Sequence, residues 1–161
     1  MRMRFLLLGF LVLSCVAVLT MKGAAQQQSV ADEVIAIVKA QWAAEMKDPT
    51  NVAEQMKNVA DDFTEFNGDY ATRLDGKAMN MRLGEAGAGG SSRTVAAEMA
   101  NPKVQTYSGE IAIVSYNYAG LSKDKDGKTE PARAKSTRVY VKQSGKWMLV
   151  HANFAADPLP R

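Results

Sequence analysis

The apolar residues keep two different rhythms in the two halves of this chain. Between residues 30 and 46, Val30, Val34, Val38, Trp42 and Met46 recur every four positions, with Ile35 and Ile37 beside them. That spacing lays one apolar stripe along an α-helix. Ser29 suits the cap, Asp32 and Glu33 suit the first turn, and Asp48-Pro49 ends the helix. From residue 103 the rhythm gives way to runs rich in Val, Ile and Tyr, separated by polar turns. Residues 103–107, 110–121, 133–143 and 146–155 read as strands, with Ser144-Gly145 turning the chain between the last two. Helices first and an antiparallel meander afterwards make an α+β arrangement, with the helices packed on one side of a curved sheet.

The middle of the chain is less regular. Val52, Met56, Val59, Ala60 and Phe63 predict a second helix over 51–63, and Asn67-Gly68 predicts a turn. A short helix fits 76–83, with Met79 and Leu83 four apart. Residues 84–92 form a glycine-rich loop, but Arg93-Thr94 follows it instead of the Lys-Ser/Thr that a phosphate loop requires. Such a loop reads as a lid or a linker. The polar hairpin loop at 122–130 places Asp124, Asp126 and Gly127 as a calcium loop would. Arg133 then occupies the position of the bidentate acid, so a solvated turn is expected and no metal. No motif for a cofactor is present.

The chain of 161 residues suits one domain preceded by a short leader. Residues 1–25 have the order of a secretory signal: Arg2 and Arg4, an apolar run from Phe5 to about Met21, then Gly23 and Ala25 before a cut. The expected mature domain is 26–161, periplasmic or secreted, with no stable membrane insertion once the segment is removed. The competing readings are an uncleaved anchor and a lipoprotein cut before Cys15, the single cysteine. The net charge of +3 belongs to the leader, which holds three basic residues and no acid. The mature domain carries 17 basic and 17 acidic residues. Nucleic acid binding needs a dense cationic surface, so no nucleic acid partner is expected.

The stretch Thr137-Arg-Val-Tyr-Val-Lys-Gln-Ser-Gly-Lys-Trp-Met-Leu-Val-His151 resembles the closing hairpin of the SnoaL-like branch of the NTF2-like superfamily. It is similar to the domain of unknown function 4440 and to the association domain of calcium/calmodulin-dependent protein kinase II. Thr137, Arg138, Val139, Gly145, Lys146, Trp147, Val150 and His151 match the family pattern, while Tyr140 stands for a tryptophan and Ser144 for an aspartate. Trp42 and Ala60-Asp-Asp-Phe63 resemble the family opening. The resemblance implies a cone-shaped α+β fold, a strongly curved and mainly antiparallel sheet around the N-terminal helices, with a cavity at the open end. It also implies a homodimer or larger ring. The family's second histidine and serine are replaced here by Asn153 and Ala155.

Strict alternation puts Trp147, Leu149, His151 and Asn153 on one face of the last strand, and Ser136, Arg138 and Tyr140 on one face of its neighbour. Arg138, His151, Asn153 and Tyr116 or Tyr118 then form a candidate cavity lining. Arg138 offers a two-donor fork for a carboxylate or enolate. His151, or Asp62 if buried, could move a proton. Asn153 and the two tyrosines could donate to a carbonyl or anionic oxygen. The plainer readings are a hydrogen-bonded structural His151, an Arg138 paired with Asp61 or Asp62, and tyrosines that only build the sheet. The functions expected are binding of a small, partly apolar molecule, a cofactor-free isomerase, cyclase or dehydratase, and a homo-oligomeric assembly module.

Overall fold

The computed structural model describes residues 26–157. The leader, Cys15 and the last four residues lie outside that range. A long helix, α1, covers residues 26–47, so Ser29 lies within it instead of capping it. The stripe read from the sequence is its buried side: Val34 and Val38 are fully enclosed, and Val30 and Trp42 nearly so. Each such side chain contributes about 1.5–3 kcal/mol on leaving water. Asp48 ends the helix, and its carboxylate accepts from both the backbone N–H and the hydroxyl of Thr50.

After α1 come α2 (Val52–Gln55), β1 (Val59–Phe66), β2 (Leu74–Asp75), α3 (Lys77–Gly87), β3 (Ser92–Tyr107), β4 (Ile111–Asp124), β5 (Thr129–Gln143) and β6 (Lys146–Ala156). The six strands form one curled sheet in the order β2-β1-β6-β5-β4-β3. All neighbours are antiparallel except β1 and β6, which run parallel. The helix predicted over 51–63 is corrected: only Val52–Gln55 is helical, residues 56–58 are a turn, and β1 begins at Val59. Val59 and Phe63 lie four apart, a spacing that suits both a helix face and a strand face. Their burial against β6 and α1 selects the strand.

Two other expectations shift for equally local reasons. The strand predicted over 103–107 begins at Ser92, because irregular pairing between Thr94 and Ala96 and between Ala100 and Lys103 breaks its alternation. The glycine-rich stretch is mostly not loop: α3 extends to Gly87. A Cβ on Gly84 would come 3.1 Å from the Val52 side chain, so this glycine lets α3 approach α2.

The core joins α1 to the concave face of the sheet. Ala112, Val114, Tyr116, Tyr140, Trp147, Leu149 and Ala152 face Val30, Val34, Val38 and Trp42. Trp42 meets Tyr116 and Tyr118 edge-on, with ring centroids 5.6 and 5.4 Å apart. Glu33 tethers the helix by accepting from the Trp147 indole at 2.8 Å.

Candidate functional site

Arg138 sits on β5 with its side chain on the concave face and is only 4% exposed. Its Nε donates to the Tyr116 hydroxyl at 2.9 Å, and its Nη1 donates to Gln41 Oε1 on α1. The Phe154 ring covers the guanidinium at 5.3 Å. Among the described residues no carboxylate forms an ion pair with it. The expected partners Asp61 and Asp62 are exposed on β1. A buried cation held by neutral oxygens is costly unless its hydrogen bonds are well made.

Two further polar groups belong to this face. Ser136, two residues before Arg138, is buried with a hydroxyl that has no hydrogen-bond partner. Glu65 on β1 pairs with Ala152, which pairs in turn with Arg138. Burial pushes the Glu65 carboxyl up, while the Asn67 amide, Arg138 and His151 oppose that shift. Glu65, not Asp62, is therefore the partly buried acid in reach of Arg138. Sequence reasoning missed it because the first part of its strand was read as a helix ending at Phe63, which left residues 64–66 without an assigned element. Gln41 was missed because it borders the apolar stripe of α1 without belonging to its repeat.

His151 and Asn153 are not with Arg138. Val139 pairs with His151, but the next residue, Tyr140, pairs with Leu149. Val150 is thus an extra residue, a bulge that reverses the facing of everything after it. Trp147, Leu149, Ala152 and Phe154 face the helix, whereas His151 and Asn153 lie on the convex face. His151 Nδ1 is 2.8 Å from Thr64 Oγ1, and its ring meets Phe66 edge-on at 6.1 Å. The sheet itself separates His151 from Arg138. Tyr116 joins the Arg138 cluster. Tyr118 lies further along β4, where burial and the nearby Glu45 raise its hydroxyl pKa.

A cleft of about 570 Å³ opens beyond Tyr118, bounded by Glu45, Gln55, Thr94, Ser122 and the glycine-rich turn before β3. Thr94 donates to Glu45 across its floor at 3.1 Å. None of the residues predicted as a site lines it. Among the described residues no three His, Cys, Asp or Glu side chains gather as metal ligands. No helix there is long and apolar enough to cross a membrane.

The convex face has its own pattern. Tyr107, Ile111, Val141 and Met148 align across β3 to β6, and Ile113, Val139 and Val150 extend the apolar patch. Tyr107 is 49% exposed and Ile111 39%. The far end of the same face is polar: Asn117 and Lys135 both reach Asp157.

The profile of the calcium/calmodulin dependent protein kinase II association domain matches residues 30–158. The chain belongs to this family. No curated protein matches it in sequence. Among solved structures it is similar to the association domain of C. elegans CaMKII, at 17% identity, with 83% of this chain and 97% of that one covered and a TM-score of 0.61. The CaMKII hub homology domain of the alga Chlamydomonas reinhardtii is similar at 20% identity, 80% and 98% coverage and a TM-score of 0.65. An NTF2-like protein of unknown function from Pseudomonas putida is similar at 18% identity, 81% and 88% coverage and a TM-score of 0.66. These likenesses establish the NTF2-like fold.

Proposed function

We propose that this chain is a homo-oligomeric association domain whose copies join through the convex face of the sheet. The observation that carries this reading is the contiguous row Tyr107, Ile111, Val141 and Met148, the first two exposed and the last two half-buried, on a face that the helices of the described residues leave uncovered. Contiguous apolar patches of this kind mark interaction surfaces. The family and the association and hub domains that share the fold support a second copy as the partner. Sedimentation of residues 26–161 is expected to show a dimer or larger ring. The double variant Ile111→Asp, Met148→Asp is expected to be monomeric with an unchanged far-UV spectrum. A wild-type chain that sediments as a monomer at micromolar concentration sinks the proposal.

A second reading rests on the concave face. Arg138, which forms no ion pair among the described residues, and Ser136, whose buried hydroxyl has no partner, provide a cation and an unpaired hydroxyl two residues apart on β5, with the Phe154 ring over the guanidinium. This combination suits a small, partly apolar molecule with a carboxylate or carbonyl oxygen. Calorimetric titration with benzoate is expected to give saturable heat that Arg138→Gln abolishes. No heat at millimolar benzoate rejects this reading.

A further inference from the structure

The cleft beside the glycine-rich turn carries a charge arrangement that the fold alone does not account for. Arg93 of β3 and Lys123 of β4 lie directly opposite each other in the register, and both line the cleft. Like charges in that position destabilise a strand pair. Lys125, two residues on, adds a third cation. None of the three forms an ion pair among the described residues, whereas Lys128 of the same hairpin is paired with Glu130.

We propose that this cleft binds a phosphorylated polyol, its phosphate dianion held between Arg93 and Lys123. Three phosphate oxygens let both side chains donate at once, and a dianion offsets a repulsion that a single negative charge offsets only in part. The Lys-Ser/Thr of a phosphate loop is absent. The cradle is made instead of side chains from β3 and the end of β4.

The other walls suit the neutral remainder of such a ligand. Two acids, Glu45 and Asp124, line the cleft beside the three cations. Asp124 accepts from the Lys128 backbone N–H and closes the hairpin turn. Glu45 accepts from Thr94 through one oxygen, which leaves the other for a ligand hydroxyl. The same two acids disfavour a second anionic group on the ligand. Gly87 and Gly89 form the remaining wall. Neither has a positive φ, and a Cβ at either would meet nothing within 4 Å. Backbone and packing admit a side chain at both positions, so what glycine provides there is open space.

Calorimetric titration of residues 26–161 with glycerol 3-phosphate at pH 7.5 in low salt tests this. Saturable heat is expected, with a dissociation constant of about 1 mM, and none with glycerol. Arg93→Gln and Lys123→Gln should each weaken binding by about tenfold or more. Gly89→Leu keeps every charge and should weaken it as well, by filling the cleft. In ligand-free buffer Arg93→Gln should melt no lower than wild type, because it relieves the repulsion. A merely structural Arg93 gives a lower melting temperature with unchanged binding. Lys123→Gln decides the matter if Arg93→Gln fails to fold. No saturable heat at about 10 mM, or equal binding by all three variants, overturns the proposal. Sulfate bound as tightly as glycerol 3-phosphate means an adventitious ion only and overturns it too. Binding to phosphatidate vesicles without binding to glycerol 3-phosphate overturns it in favour of a membrane surface.

Discussion

The concave and convex faces of the sheet are made by the same strands, yet they solve opposite problems. The concave face is closed by the chain itself: α1 covers it, aromatic rings interlock over it, and even its cation is enclosed by Tyr116, Gln41 and Phe154. The convex face carries comparable apolar side chains, such as Ile111 and Val141, and no helix of the described chain covers them. The comparison separates residues that hold one copy together from residues that are free to hold two copies to each other. It also separates the two candidates for chemistry, since Arg138 belongs to the first face and His151 to the second.

The largest expected effect sharpens that division. Trp147→Ala removes a buried ring and the tether to Glu33, and should cost about 3–5 kcal/mol in urea unfolding. Ile111→Ala, measured in monomeric protein, should stay within about 0.5 kcal/mol. Similar costs for the two would break the distinction between the faces.

A smaller effect tests how tightly the concave side is fitted. The Tyr118 ring folds over Gly120, and a Cβ there would meet the Tyr118 hydroxyl and approach the Ala96 carbonyl oxygen to 2.8 Å. Gly120→Ala should therefore destabilise by about 1–3 kcal/mol and disturb the near-UV signal of Trp42, which packs on Tyr118. An unchanged spectrum with unchanged stability would show that this end of the sheet is loosely packed.

The smallest effect concerns Glu65. Burial raises its carboxyl above the ordinary 4.5, so the folded state holds the proton more tightly than the unfolded chain does. Its contribution then favours folding in acid, fades as pH rises from 4.5 through the raised value, and remains a cost at neutral pH. Glu65→Gln should raise the melting temperature at pH 7, corresponding to less than about 1 kcal/mol, and the gain should vanish below that window. A variant that is less stable than wild type at pH 7 would mean that the attraction of Arg138 outweighs burial.

Much of the fold was legible in order of appearance. The stripe of α1, the turn at Ser144-Gly145 and the strands β4 to β6 follow from apolar periodicity, and the closing hairpin pointed to the family that the profile match established. The helix read over 51–63 failed where Val59 and Phe63 fit either period. Strand β3 was cut short because its two irregularities hide its alternation.

The candidate site was legible residue by residue but not in its grouping. Alternation correctly placed Ser136, Arg138 and Tyr140 together on β5, because that strand pairs with β4 without interruption. The same rule put His151 beside Trp147 and Leu149, and there the one-residue bulge at Val150 reversed it. Side-chain type and local rhythm are properties of neighbours along the chain, so they could be read directly. Whether a strand keeps its register depends on pairing with strands distant in sequence. That pairing enclosed Arg138 against α1 and turned His151 outward.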